Sequence, residues 1–436
     1  MPRYASYPTT DRFVEAFDGI AYGTWLERRA LTGFGPIGLY VHLPFCRTQC
    51  HFCACSHVVG RSYDRARRYL EHLEAESAMV CKRLGGRVRV AHMHWGGGTP
   101  TYYQMPEIER LMRSLRSHFI FAEGGEFSIE VDPRTVDEET ISGLATLGFN
   151  RLSMGVQDFD PDVQQAIHRA QPEAVVRRAL EAARRSGFAS VGFDLVVGLP
   201  RQTAAGFART MERVIDAAPS RLALHAYEHR PTRFKAQRNI RSVELPSPGE
   251  QAAIFAQAGQ RLREAGYLQI GIDHFALPVD DLGAAQRTGN LHRCFTGYSP
   301  RPETDLIGLG ASAISRVGPI YCQNQRTLPE YQDAIEQGQL PVMRGIELTK
   351  DDLARRAVIM ALMCHGRVSI ESIEIAHLLR FRRYFAPELE RLGLASPLAR
   401  SASTTSGWWS RRRAGPTCAR SAPSSIVTSR CARPRK

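Results

Sequence analysis

Lysine is nearly absent from this chain: 4 lysines stand against 53 arginines in 436 residues. That imbalance reads as the product of a GC-rich gene. No run of 18 apolar residues occurs, which excludes a helical membrane span. The N-terminus, MPRYASYPTTDRF, has no apolar core, which excludes a secretory signal there. Cysteine is sparse, 10 in all, too few for a disulfide scaffold. Acidic residues are missing altogether from 396–436, which carry nine of the chain's 57 cations. The first 395 residues therefore hold 48 basic and 44 acidic groups, so the net charge of +13 is mostly a property of the tail. A near-balanced body excludes a nucleic-acid groove as the main function.

The tail also lacks periodicity: 27 of its 41 residues are Ser, Arg, Ala or Pro. Two readings are open, a disordered basic tail and an ending translated out of frame. Five apolar side chains, Leu398, Trp408, Trp409, Ile426 and Val427, are too few to offset the entropy of ordering it, so disorder is expected over 396–436.

What is present is an alternation of short apolar runs and helical periods from about residue 36. Strands are expected at 38–43, 88–95, 126–131, 150–156, 190–197 and 221–226. Helices are expected at 62–84, 105–119, 138–147, 172–186 and 204–217. Six βα units predict a parallel sheet with helical cover, and six are too few for a closed eight-unit barrel. The fold class is therefore α/β, a partial (β/α)6 barrel with a small helical C-terminal domain. The boundaries are an N-terminal segment at 1–35, the barrel at 36–270, a connecting region at 271–345, a helical domain at 346–395, and the tail. Chemistry in such folds collects at the C-terminal ends of the strands. The loop after strand one, the glycines after strand two, Glu130, Gln157 and Asp194 all fall there.

The decisive stretch is YVHLPFCRTQCHFCAC at 40–55. Cys46, Cys50 and Cys53 form CxxxCxxC, with Cys55 two residues on. No second Cys or His pair completes a zinc ribbon. Three thiolates on one loop suit a cubane iron–sulfur cluster whose fourth iron is left open to a ligand.

This loop, on the first strand of six βα units, resembles the radical S-adenosylmethionine superfamily. Further motifs, PRYASYPT at 2–9, HWGGGTPTY at 94–102, EVDPR at 130–134, RLSMGVQDF at 151–159, FDLVVGLPRQT at 193–203 and DHFALP at 273–278, resemble the oxygen-independent coproporphyrinogen III oxidases. That resemblance runs from residue 2 to about 394. It implies oxidative decarboxylation of two propionates of coproporphyrinogen III to vinyls, giving protoporphyrinogen IX through a 5′-deoxyadenosyl radical. It implies one 4Fe-4S cluster on Cys46, Cys50 and Cys53, two S-adenosylmethionine molecules, and a reduced flavodoxin- or ferredoxin-type electron donor. A cytoplasmic monomer is implied, with no nucleic-acid partner.

The resemblance assigns Tyr40, Glu130 and Ile314 to the first S-adenosylmethionine, with Gly97, Gly98 and Thr99 at its methionine end. Phe52, Gln157, Arg169, Asp194 and Glu228 map to the second; Arg169 would pair with its carboxylate. Glu228 is a departure, since the family has Ala there. If that contact runs through the backbone, Glu is tolerated; if space is needed, the second site suffers. His42 is read either as a core histidine or as a proton shuttle, and Cys55 as a thiol beside the substrate. Two other readings are kept: a haem chaperone of the same superfamily, which typically lacks Cys55 and has an HNxxYW-type motif where this chain has GNLHRCFTGY, and an inactive product of a damaged gene.

Overall fold

The computed structural model describes residues 7–33, 35–60, 62–294, 297–302 and 304–393, and the backbone of 408–410. Six parallel strands form its centre: β1 (Ile37–Leu43), β2 (Val88–Gly97), β3 (Phe119–Val131), β4 (Arg151–Gln157), β5 (Ser190–Val197) and β6 (Arg221–Ala226). They lie side by side in chain order, and the sheet stays open. All seven residues of β1 are buried, as expected of a strand covered on both faces.

The crossovers are helices with one apolar face: α1 (Gly19–Thr32) precedes β1, and α2 (Tyr63–Arg83), α3 (Met105–His118), α4 (Glu138–Thr146), α5 (Glu173–Arg185) and α6 (Ala204–Ala217) link the strands. Local chemistry sets their ends. Asp137 caps α4 by accepting from Thr140 N at 2.8 Å. Thr203 caps α6 from Gly206 N, and Ala218 closes it in the left-handed conformation. Between these helices and the sheet runs one continuous core, which includes Leu39, Trp95, Ile129, Phe193 and Phe207.

Residues 271–345, expected to be a connecting region, extend the sheet. β7 (Leu268–Ile270) and β8 (His274–Ala276) add antiparallel strands beside β6. On the other edge β9 (Leu306–Leu309) pairs parallel with β1. It is followed by antiparallel β10 (Ile314–Val317), β11 (Ile320–Asn324) and β12 (Val342–Glu347). The described sheet thus has twelve strands. These added strands have at most six residues and glycine-rich joints, so no alternation long enough to read survived in the sequence.

The helical C-terminal unit begins with α7 (Lys350–His365), capped reciprocally by Thr349 and Asp352. Its core gathers Val358, Ile359, Met363, Ile373, Phe381 and Phe385 with Tyr7 from the other end of the chain. Asp352 accepts from Tyr7 Oη at 2.7 Å and from Arg12 Nη1 at 2.6 Å. Val14 pairs with Gly345 in both directions, at 2.8 and 3.0 Å. These contacts hold Thr9–Asp11 at the mouth of the barrel.

The expectation of a disordered tail falls on residues outside the described set, apart from Trp408–Ser410. Those three pair antiparallel with Arg367–Ser369. Among the described residues no helix is long and apolar enough to cross a membrane.

Candidate active site

A cavity of about 900 Å³ opens at the C-terminal ends of the six parallel strands. Cys46, Cys50, Cys53 and Cys55 line one side, and Glu130, Gln157 and Asp194 line the opposite strand ends. Phe52, Gly97, Gly98, Thr99, Arg169 and Glu228 also reach it. Tyr40, His42 and Ile314 are buried and are not among the residues lining it.

The cysteine loop is fastened to the sheet by its backbone. Gly98 N donates to Leu43 O and Thr99 N to Phe45 O, both at 2.9 Å, prolonging the β1–β2 ladder into the loop. A Cβ at Gly98 would come within 2.4 Å of Pro44 O, and one at Gly97, where φ is +114°, within 2.6 Å of His42. Only glycine fits at these two positions. The close approach that requires them is strand to loop; the cofactor approach expected from the sequence is not needed to explain them.

Each of the three sulfurs meets a hydrogen-bond donor. Thr99 Oγ1 lies 3.6 Å from Cys46 Sγ, Arg169 Nη1 3.5 Å from Cys50 Sγ, and Cys55 N 3.4 Å from Cys53 Sγ. The Cys55 thiol and His57 stabilise Cys53 as a thiolate against the cost of burial, and the Cys55 thiol is pushed up in turn. Burial pushes Cys46 up to about 12, a penalty that ligation to iron removes. Among the described residues no three Cys, His, Asp or Glu converge as the ligands of a single ion do. A cubane takes each cysteine at a different iron and does not need that convergence. Three thiols on one loop, each with a donor aimed at its sulfur, fit the 4Fe-4S cluster implied by the sequence.

Tyr40 Oη lies 2.9 Å from His42 Nδ1, and His42 Nε2 lies 2.9 Å from Ser56 O. A carbonyl only accepts, so Nε2 carries the proton and Nδ1 accepts from Tyr40. Burial lowers the His42 pKa to about 4. With both ring nitrogens used and the ring sealed off, His42 is a buried tether between Tyr40 and the cysteine loop. The proton-shuttle reading has no geometric support.

Glu130 accepts from His94 Nε2 at 3.1 Å and from Gly97 N at 3.2 Å. Burial acts to raise its pKa, but His94 and Gly97 outweigh it and hold the carboxylate below the usual glutamate range. Asp194 behaves oppositely. Burial, helped by Glu130, raises it to about 6 although Ser153 Oγ donates to it at 2.8 Å.

Gln157 closes β4 with φ of +67°, a strained conformation for a side-chain-bearing residue. Arg169 is already paired: its Nη1 lies 3.0 Å from Asp132 Oδ2 and its Nη2 donates to Gly155 O at 2.8 Å. Arg134 grips the same Asp132 at 2.6 Å. Glu228, the departure noted in the sequence, forms an ion pair with Arg230 at 3.1 Å, so its charge in the cavity is compensated. Phe52 packs against Val163, Ile167, Leu199 and Tyr227, and its carbonyl accepts from Gln237 at 3.1 Å. Ile314, assigned to the first adenine by resemblance, is buried with Phe13, Tyr321 and Leu348.

Sequence reasoning missed His94, Asp132, Arg134 and Ser153. All four lie inside motifs already singled out: His94 in HWGGGTPTY, Asp132 and Arg134 in EVDPR, and Ser153 in RLSMGVQDF. The available signal was that a polar side chain on the rim side of a parallel strand is unusual.

Residues 40–214 match the family model described as the Radical SAM superfamily. The chain is 45% identical over 399 residues to the oxygen-independent coproporphyrinogen III oxidase of Escherichia coli (strain K12), covering 92% of this chain and 86% of that one. It is 43% identical over 395 residues to the enzyme of the same name from Pseudomonas aeruginosa, with 89% and 86% covered. Among solved structures, the coproporphyrinogen III oxidase of Escherichia coli, described as a radical SAM enzyme, superposes with a TM-score of 0.89. That match has 42% identity and covers 98% of this chain and 97% of that one.

Proposed function

The chain belongs to the radical SAM superfamily and, within it, to the oxygen-independent coproporphyrinogen III oxidases, and on that footing we propose how its residues divide the work. It is an oxidoreductase of porphyrin biosynthesis. Two propionate side chains of coproporphyrinogen III become vinyl groups, giving protoporphyrinogen IX. Each conversion releases carbon dioxide, one proton and two electrons. Its cofactors are a 4Fe-4S cluster and S-adenosylmethionine, which when bound supply a 5′-deoxyadenosyl radical by one-electron cleavage.

Cys46, Cys50 and Cys53 are the cluster ligands in this reading, and Thr99, Arg169 and the Cys55 amide steady their sulfurs. Arg169 carries an added positive charge to the sulfur of Cys50 while Asp132 fixes its direction. Glu130, ionised and oriented by His94 and Gly97, takes the ammonium or ribose hydroxyls of the first S-adenosylmethionine. Tyr40 supports the same site, with His42 holding its hydroxyl. Asp194, Gln157 and Phe52 serve a second S-adenosylmethionine. A cavity near 900 Å³ lies toward the upper end of small-ligand sites, which favours more than one small molecule within it. Arg169, fixed by Asp132 and Gly155 O, organises this second site. Cys55 stays a protonated thiol facing the cavity on the substrate side.

A reduced flavodoxin- or ferredoxin-type protein is the donor we assign, and a cytoplasmic monomer the working form. A reducing compartment keeps the loop thiols free for iron. The observation that carries the reading is the meeting of the CxxxCxxC loop and Glu130 on one cavity. Its test is anaerobic turnover: reduced, iron-loaded protein with S-adenosylmethionine should convert coproporphyrinogen III to protoporphyrinogen IX and release methionine. Cleavage of S-adenosylmethionine with haem binding and no decarboxylation would instead make it a haem chaperone.

A further inference from the structure

The charges lining the cavity are not balanced pair by pair. Asp132 is shared between Arg134 and Arg169, and Glu228 pairs with Arg230. Arg233 lines the same cavity, is exposed at its mouth, and meets no carboxylate within ion-pair distance among the described residues. Its guanidinium lies over the ring of Phe234, 5.5 Å from the centroid.

Arg344, from a distant part of the chain, feels the charge of Arg233, and Arg326 in turn acts on Arg344. Arg344 of β12 has its charged form disfavoured by burial first, then by Arg326 and by Arg233, with only partial relief from Asp11 and Glu15. Gln323 Oε1 accepts from Arg344 Nε at 3.1 Å and from Nη2 at 2.8 Å, so the guanidinium is fixed in direction. Phe13 underlies it at 5.9 Å. Like charges repel, and an anion beside them offsets the repulsion. Planar guanidinium groups match carboxylates in particular.

The opposite end of the cavity is acidic, with Glu130 and Asp194 at the strand ends. A carboxylate is repelled there, whereas at the mouth Arg233 attracts it against the single carboxylate of Asp11. Coproporphyrinogen III carries four propionates, and only two of them react. We propose that Arg233, backed by Arg344 and Arg326, is the anchor for the propionate carboxylates that are not decarboxylated, fixing which edge of the tetrapyrrole faces the strand ends. The assignment rests on the substrate named above.

The test uses the iron-loaded protein and its Arg233→Gln, Arg233→Lys and Arg344→Gln variants under anaerobic turnover. Loss of one charge-assisted carboxylate contact should raise KM for coproporphyrinogen about tenfold, the equivalent of 1.4 kcal/mol. The turnover number, KM for S-adenosylmethionine and iron content should stay within about twofold. The intermediate with one vinyl and three carboxylates should be released in larger proportion, because a loosened ring escapes between the two decarboxylations. Arg233→Lys should recover part of the loss. An unchanged porphyrinogen KM in both Gln variants overturns the proposal, as does an equal rise in KM for S-adenosylmethionine. If the wild-type protein decarboxylates nothing, the function assigned above has failed; titration with coproporphyrin III, which carries the same four carboxylates, still reads the anchor. Equal binding by wild type and Arg233→Gln then overturns it, and weaker binding by the variant supports it.

Discussion

His94 Nε2 lies 3.1 Å from Glu130 Oε1, and the same imidazole stacks on Tyr40 with ring centroids 5.9 Å apart and planes 12° from parallel. One histidine on β2 therefore orients a carboxylate on β3 and backs an aromatic on β1. Its removal leaves Glu130 held by Gly97 N alone.

Replacing His94 with Phe keeps the stack and deletes the hydrogen bond. A hydrogen bond to a charged group contributes about 1.5–3 kcal/mol, so S-adenosylmethionine should bind about tenfold or more weakly while iron content is retained. His94→Gln, which keeps a donor, should recover part of the affinity. Combining His94→Phe with Glu130→Gln should cost less than the two losses added, because both remove one interaction. Equilibrium binding to the reconstituted protein measures each. Simple additivity would place His94 outside this role.

Cys46→Ser, Cys50→Ser and Cys53→Ser should each abolish the visible absorption of the reconstituted cluster, whereas Cys55→Ser should keep about four irons per chain. Cys55 reaches Cys53 through its amide at 3.4 Å and through its thiol; serine preserves the amide and keeps a side-chain donor in place of the thiol. Loss of iron from the Cys55 variant would contradict the three-ligand assignment.

Asp194 is raised to about 6 by burial and by Glu130, so its carboxylate gains a proton as pH falls through that value. The profile of kcat/KM for S-adenosylmethionine reports groups of the free enzyme. It should drop on the acid side with a midpoint near 6. Asp194→Asn should lower the plateau and erase that limb. A limb of the same midpoint surviving in the variant would assign it to another group.

At the join between the chain's beginning and α7, Asp352 is held at about 2: burial opposes its ionisation, but Arg12, Tyr7 and Thr349 outweigh it. Unfolded, the same carboxyl titrates near the ordinary value of about 3.9. The folded protein thus binds the proton less readily than the unfolded chain, so this group's stabilisation is complete above about pH 4 and is lost as pH falls toward 2. Asp352→Asn should destabilise cluster-free protein by about 1–2 kcal/mol at pH 7, part of the gain being screened because Arg12 is about a third exposed. Thermal melting at pH 7 and pH 3 should show the difference between wild type and variant narrowing at the lower pH.

The sequence by itself determined what depends on near neighbours. Cys46, Cys50 and Cys53 are legible because three ligands fall within eight residues, where spacing alone dictates that they share a loop. Six parallel strands are legible because a strand buried on both faces, like β1, must be a nearly continuous apolar run. Helix ends follow from caps such as Asp137 and Thr203, whose bonds reach only three residues.

The tertiary structure decided every contact whose partners are far apart in the chain. Arg169 reads as a free cation for a cofactor carboxylate until the fold brings it 3.0 Å from Asp132, 37 residues earlier. His42 reads as a shuttle or a core residue until Ser56 O and Tyr40 occupy both ring nitrogens. Ile314 is drawn into a separate core by Phe13 and Tyr321. Tyr7 and Asp352, 345 residues apart, meet because β12, whose Gly345 pairs with Val14, leads into α7 beside the chain's beginning. Composition and periodicity record which faces avoid water. They do not record which charged group will neutralise which, because that depends on distances of a few ångströms set by the packing of the whole sheet.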